Sequence, residues 1–499
     1  MNRRMILYVV GRMCLLEAIL FIIPLICCLI YGEFYDAVSI LFGVGIALVL
    51  GFFLRLISRP YARSIDAKEG FVIVALTWIV MSLIGAVPFV YSGMIPNYID
   101  AFFETVSGFT TTGSTILTGA QIDAFYLTSK GLLLWRSFTH WIGGMGVIVF
   151  IMAVVPNVAD RSMHIMKAEM PGPIVGKLVP KTKETARILY IIYFAMTAVE
   201  LIFLCLGDMC FYDALVHTFG TAGTGGFSCN GSSLMAYSNY SQWVVTVFMV
   251  LFGINFNIYY LMLIKRFKNI IKSTELWVYL GLFFASSATI TINVITQIKN
   301  SPLGDTIKNA CFQVASIMTT TGYATCDFDL WPTLSKTLLL ILMLIGACAG
   351  STGGGLKVAR LVLLFKKIKN EFRHLVHPRS VNKVEFEGKI VEDEILHNVS
   401  NYFALYMICI FVILLLLGFD TGITQLCGET KSAIETNLSA VVSCFNNIGP
   451  GYVLLGPNGS FWVYSGFSKI LLSIAMLLGR LELFPIFLCF MPSTWLKRK

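Results

Sequence analysis

The chain has 499 residues, of which 57% are hydrophobic and 13% charged, and its mean hydropathy is +0.77. A soluble protein carries roughly 25% charged residues, so this composition excludes a soluble globular fold and requires a polytopic membrane protein. The net charge of +9 does not indicate nucleic acid, because the basic residues stand in short blocks between apolar segments, the pattern of membrane topology.

The N-terminus, Met1-Asn2-Arg3-Arg4 followed by apolar residues, has the form of a signal peptide. No small-residue cleavage site follows, and the apolar run continues to about residue 31. A retained membrane helix is expected over 5–31, and a second over 37–57 after an acidic link with Glu33 and Asp36. These two helices, residues 1–69, have no pore-type loop between them.

From about residue 70 one pattern recurs four times: long apolar helix, short half-helix, Gly loop, long apolar helix. The units are 70–160, 161–265, 266–380 and 381–499. Their outer helices are expected over 71–91, 188–206, 276–294 and 401–417. The half-helices fall over 98–109, 211–219, 305–318 and 433–445, and the inner helices over 131–155, 243–264, 334–365 and 461–490. Each half-helix is too short to cross a bilayer and leads into a related phrase: Thr110-Thr111-Thr112-Gly113, Gly223-Thr224-Gly225-Gly226, Thr319-Thr320-Thr321-Gly322 and Asn447-Ile448-Gly449-Pro450-Gly451. A fixed internal repeat is the strongest organisational signal available. Irregular backbone at membrane depth is tolerated only where protein buries it or it lines water. Four such loops around one axis meet that condition together, and a ring of main-chain carbonyls can replace the water shell of a monovalent cation. The expected fold is therefore an all-α polytopic membrane protein, with two N-terminal transmembrane helices and four pseudo-symmetric helix–pore-helix–loop–helix repeats around one central pore. The candidate ion-binding residues are Thr111, Thr112 and Gly113; Thr224 and Gly225; Thr320, Thr321 and Gly322; and Asn447, Ile448 and Gly449.

Charge sets the orientation. The basic links, at 55–68, 161–187, 265–272, 357–389 and 497–499, fall on the same side as the N-terminus, whereas Glu33, Asp36, Asp208, Asp305, Asp327, Asp329, Asp420 and Glu429 fall on the other. The positive-inside rule puts both termini in the cytoplasm and all four Gly loops outside. The thirteen Cys contain no CxxC pair, which leaves Cys205 and Cys210 as the one pair placed for a disulfide.

Each half-helix begins near a residue able to cap it, namely Asp100, Asp213, Asp305 or Asn309, and Asn437; its negative end would then face the centre and favour a cation. Two inner helices carry interruptions. The larger runs Gly346-Ala347-Cys348-Ala349-Gly350-Ser351-Thr352-Gly353-Gly354-Gly355, and each Gly costs about 1 kcal/mol relative to Ala in a helix. A loop is expected there, either a gate that obstructs the pore or a close-packing device of small residues. The gate residues would be Gly346, Gly350, Ser351, Thr352, Gly353, Gly354 and Gly355. It is not a phosphate loop, because Leu356 and Val358 break the GxxxxGK[ST] spacing. The milder interruption, Gly143-Gly144-Met145-Gly146, reads as a packing kink. Arg480 lies inside the fourth inner helix, where a charge is costly and usually functional; it either faces the pore or pairs with Glu482. Arg136 and His140 read as structural. The six His are scattered, with no HxxxD or HExxH arrangement, so a membrane-embedded enzyme is not expected.

Thr110-Thr111-Thr112-Gly113, Trp135-Arg136-Ser137 with Trp141-Ile142-Gly143-Gly144-Met145-Gly146, the run from Ala349 through Gly355 to Arg360, Asn446-Asn447-Ile448-Gly449-Pro450-Gly451 and Gly479-Arg480-Leu481-Glu482 together resemble the TrkH/KtrB/HKT superfamily of potassium transporters. The resemblance spans the whole chain, and the two extra N-terminal helices are of the TrkH type. It implies a potassium-selective filter with Gly113, Gly225, Gly322 and Gly449 as its glycines, a gating role for the 346–355 loop, and Arg480 close beneath the filter. It also implies potassium as the bound and transported ion without a covalent cofactor, a location in the cell inner membrane, and a homodimer seated on a cytosolic nucleotide-binding regulator resembling TrkA. No G-x-G-x-x-G follows a strand pattern, so that regulator is expected to be a separate protein. The basic links are either its docking surface or anchors beside anionic lipid. The activity implied is potassium uptake through a gated pore, the alternative being proton- or sodium-coupled symport by the same pore. The second loop departs most from the pattern, since His217-Thr218-Phe219-Gly220-Thr221-Ala222 lacks the Thr run.

Overall fold

The computed structural model describes residues 2–58, 67–146, 182–298, 302–379, 383–428 and 430–495. The basic blocks at 59–66, 161–181 and 496–499 lie outside the described residues. Among the described residues the regular structure is helical apart from one small hairpin, Glu385–Phe386 against Lys389–Ile390. Among the described residues six helices are long and apolar enough to cross a membrane.

The N-terminal helix pair is built for close approach. Arg3–Leu20 continues as Ile22–Tyr31 and turns at Gly32 into Phe34–Ile57. Gly11 and Gly51 face each other where the two helices cross, and a Cβ built on either glycine comes within 3.0 Å of the carbonyl of the other. In a lipid environment, where apolar burial gives no net drive, such small-residue contacts let helices associate. The pair is fixed to the first unit by Glu33, whose carboxylate oxygens accept from the Lys130 and Gly131 amides at 2.7 and 2.8 Å.

Four units follow. Their outer helices are Ala67–Gly85 (extended by Val87–Tyr91), Thr182–Cys205, Thr274–Gln297 and Asp393–Leu417. The half-helices are Tyr98–Phe109, Phe211–Gly223, Leu303–Met318 and Thr430–Asn446. The residues expected to cap them lie inside the helices and not at their starts. Asn97 caps the first half-helix and Cys210 the second, while Asp100, Asp213 and Asp305 sit in first turns and Asn437 lies mid-helix, bonded to Tyr464.

The units close into a ring through polar contacts at their outer rim. Lys469 of the fourth unit pairs with Asp100 of the first at 2.7 Å. Tyr126 of the first donates to Asp213 of the second at 3.0 Å. Lys308 of the third donates to Asn239 of the second. Lys336 of the third pairs with Asp329 of its own unit at 2.5 Å and with Glu435 of the fourth at 3.4 Å. Cys205 and Cys210 are both free and exposed.

The inner helices differ most from expectation. The first is described over Lys130–Gly144, with Gly146 in the left-handed region, and the rest of its expected span, 147–155, lies outside the described residues. The second, expected to be continuous, breaks at 253–255 into Asn239–Phe252 and Phe256–Leu263, bent by 88°. The third breaks into Thr333–Leu344 and Val358–Val376. The fourth, also expected to be continuous, breaks at 481–483, where Glu482 and Leu483 have φ of +58° and +67°.

Candidate ion pathway

The four Gly loops share one backbone. In each, two residues separated by one are left-handed: Thr111 and Gly113, Thr224 and Gly226, Thr320 and Gly322, Asn447 and Gly449. The residue between them donates its N–H back into the half-helix at 2.8 to 2.9 Å: Thr112 to Ser107, Gly225 to Gly220, Thr321 to Ser316 and Ile448 to Ser443. A left-handed close of this kind satisfies carbonyls that a helix end otherwise leaves free. The threonines and the asparagine accept φ near +55° at a cost of order 1–3 kcal/mol each, a strain typical of functional loops.

This geometry moves one sequence assignment. The glycine of the second loop that matches Gly113, Gly322 and Gly449 is Gly226, and Gly225 takes the place of Thr112, Thr321 and Ile448. Packing around the ring agrees. A Cβ on Gly113 would collide with the Gly225 carbonyl, one on Gly226 with that of Thr321, one on Gly322 with that of Ile448, and one on Gly449 would press on that of Thr112. Each glycine thus abuts the next loop, and the fourth contact returns to the first. The sequence held the signal: spacing from the left-handed Thr, as in Thr111-Thr112-Gly113, selects Thr224-Gly225-Gly226.

His140 compensates the bare second loop. Its ring fills the space that a side chain on Gly225 would take. Nε2 accepts from the Phe227 amide at 3.3 Å, so Nδ1 carries the proton and donates to the Gly108 carbonyl at 2.8 Å. Hydroxyls brace the other loops, with Thr110 to Thr112 at 2.7 Å, Thr319 to Thr321 at 2.8 Å, and Asn447 Nδ2 donating to Thr112 at 2.9 Å. Outside the ring, a vestibule is lined by all four left-handed glycines and by Arg136. Arg136 is buried against Glu104, Nε to Oε1 at 2.5 Å, and donates to the Ser228 carbonyl at 3.1 Å. Glu104 also accepts from Thr115 at 2.8 Å and from the Ile116 amide at 2.9 Å, so the pair ties the exits of the first two loops together.

Inside the ring, the inner helices approach through glycine. A Cβ on Gly143 or Gly479 would strike the carbonyls of Phe109 and Phe445, at the ends of their own half-helices. The interrupting loop, 345–357, lies directly beneath. Gly354 donates to the Thr320 hydroxyl at 2.7 Å, and Thr352 to the Phe252 carbonyl at 3.3 Å. Its two ends lie side by side, with Gly346 N–H on the Leu356 carbonyl at 2.8 Å. Gly350, Ser351, Thr352, Gly353, Gly354 and Gly355 are therefore brought under the ring, with Gly346 at the hinge. The break of the second inner helix holds the loop's far side: Cys348 donates to Gly253 and Phe256 donates to Gly350, each at 3.0 Å.

Arg480 reaches across three units. It donates to the Thr352 carbonyl of the loop at 2.8 Å and to the Gly143 and Gly144 carbonyls at 2.6 and 2.8 Å. Glu482, the partner considered for it, pairs instead with Arg360 just after the loop, at 2.9 Å. Lys357, which the sequence did not single out as a charge, is buried with its ammonium on the Gly353 carbonyl.

The chain matches the TrkH family, described as a cation transport protein, over residues 46–499. It is 34% identical to the Trk system potassium uptake protein TrkH of Escherichia coli, over 99% of this chain and 100% of that one. It is 31% identical to the TrkH of Halomonas elongata, over 100% of both chains. The crystal structure of the potassium transporter TrkH from Vibrio parahaemolyticus superposes with a TM-score of 0.84 at 29% identity, covering 99% of this chain and 100% of that one.

Proposed function

The chain belongs to the TrkH family of cation transport proteins, and we propose that it takes up potassium through a gated, channel-like pore whose filter is made of main-chain carbonyls. Membership makes it a membrane transport protein and not an enzyme. One observation carries the proposal: four left-handed glycines from four units close a ring, each seated on the carbonyl that precedes the next. Alternation of left-handed residues with ordinary ones turns successive carbonyls to one side of the strand. That face can coordinate a dehydrated cation, and the half-helix ends add negative dipole around it. The filter residues are Thr111, Thr112 and Gly113, Thr224 to Gly226, Thr320 to Gly322, and Asn447 to Gly449. The loop at 345–357 is the gate, and Arg480 latches it while placing a positive charge below the filter, where it slows cations.

The protein works as a homodimer in the cell inner membrane, on a separate cytosolic nucleotide-binding subunit, with both termini in the cytoplasm. In support, Arg3 donates to the Trp495 carbonyl at 3.2 Å, which puts the two ends of the chain together. Phe365, Phe372 and Leu375 also leave an uncovered apolar face on the helix after the gate. The reading needs no covalent cofactor. Rubidium uptake by proteoliposomes containing the purified protein and its cytosolic subunit tests it. Excess external potassium is expected to abolish uptake and excess sodium to leave most of it; no uptake, or equal inhibition by sodium, would overturn the proposal.

A further inference from the structure

The gate loop faces the ring in front, and a carboxylate holds it from behind, beside the break of the second inner helix. Glu275 lies in the first turn of the third outer helix and is buried. Its Oε1 accepts from the amides of Ala349 at 2.6 Å and Ala359 at 3.2 Å. Ala349 lies within the loop, just before Gly350, and Ala359 is the second residue of the helix that leaves the loop. One oxygen therefore ties the loop to its exit helix.

Glu275 is itself held by a surface element. Its main-chain N–H donates to Oε1 of Glu387 at 3.1 Å, and the Ser273 hydroxyl donates to the same oxygen at 3.2 Å. Glu387 occupies the turn of the hairpin, where it and Gly388 have φ of +51° and +71°. Val384, Phe386 and Val391 seat the hairpin in the core, whereas Lys389 and Ile390 are exposed. Lys366, on the helix after the loop, donates to the Glu385 carbonyl at 2.7 Å. The hairpin thus touches the start of the third outer helix and the helix that follows the gate.

We propose that Glu387 and Glu275 form a relay through which the position of this hairpin sets the position of the gate loop. The inference rests on the reading of 345–357 as a gate. Both glutamates are positioning residues and neither meets the ion. A shift of the hairpin withdraws the acceptor from Ser273 and the Glu275 amide, frees the first turn of the outer helix, and loosens the bonds to Ala349 and Ala359 together. Because a buried carboxylate is costly without its donors, the clamp is either made or replaced as a unit, which gives the loop two discrete positions. Whatever engages the exposed strand Lys389–Ile390 would act on the gate from outside the pore.

Hydrogen exchange and flux on the full-length protein in liposomes separate the claims. Glu387→Ala, at an exposed turn, should raise amide exchange over 346–360 and basal rubidium flux about tenfold, the loss of roughly one hydrogen bond to a charged group. The potassium-to-sodium ratio should not change, and Glu387→Gln, which keeps an oxygen acceptor, should restore most of the protection. In a Glu275→Ala background, which removes the acceptor, Glu387→Ala should add nothing. Unchanged exchange in Glu387→Ala, or an undiminished effect of it in Glu275→Ala, would overturn the relay. Faster exchange with unchanged flux would keep the relay and overturn the gate reading beneath it.

Discussion

Gly226 has φ of +79°, and a side chain there would collide with the Thr321 carbonyl. Gly113 has the same φ and stands in the same relation to the Gly225 carbonyl. Serine at either site must push a ring carbonyl away from its place. Gly113→Ser and Gly226→Ser are therefore each expected to lower the potassium-to-sodium permeability ratio by about tenfold, ~1.4 kcal/mol, in protein that still folds. An unaltered ratio in Gly226→Ser would remove the second loop from the filter. The buried Arg136–Glu104 pair belongs to the same scale. Breaking a buried pair strands a charge and costs about 3–5 kcal/mol. Glu104→Gln should thus lower the melting temperature in detergent sharply, and Glu104→Gln with Arg136→Leu should recover part of the loss; equal melting of the single variant and the parent would contradict this account. At this scale the sequence was legible where side chains marked the positions. Thr110 to Gly113 and Thr319 to Gly322 were plain. The second loop was not, because two adjacent glycines leave the register to backbone geometry and to a ring, His140, that comes from another helix.

The 345–357 loop was legible as an interruption because ten small residues in a row cannot sustain a membrane helix. Its neighbours were not. The break at 253–255 follows a lone glycine in an apolar run. The break at 481–483 has no glycine and depends on Leu483 at positive φ before Pro485. Those breaks are tertiary features: each lets an inner helix stop beneath the ring, beside the loop or its latch. Removing residues 350–355 deletes the bonds from Gly354 to Thr320 and from Arg480 to Thr352. Two such bonds, about 1 kcal/mol each, correspond to an open fraction raised tenfold or more. Single-channel recording in planar bilayers would show this, and reduced or unchanged opening in folded protein would argue that the loop is packing and not a gate. Arg480→Gln should likewise raise conductance while leaving the ring intact, measured in the same recordings; unchanged conductance would remove Arg480 from the ion's path.

For the whole molecule, the repeat pattern was the strongest message of the sequence, and the all-α fold with two leading helices and four units around one axis is the fold observed. What the repeats did not reveal is how the ring is locked. The rim contacts Lys469–Asp100, Tyr126–Asp213, Lys308–Asn239 and Lys336–Glu435 join residues far apart in the chain, so periodicity carries no trace of them. The Glu387 and Glu275 contacts behind the loop are of the same kind. The proposed function requires a ring of four non-identical loops to pass potassium in preference to sodium without coupling to another ion. The reversal potential under bi-ionic potassium and sodium, measured with and without a pH gradient, decides this. It is expected to follow the potassium gradient, to be unmoved by pH, and to move toward the sodium potential in Gly226→Ser. A potential that follows the proton or sodium gradient in the parent protein would overturn the proposal.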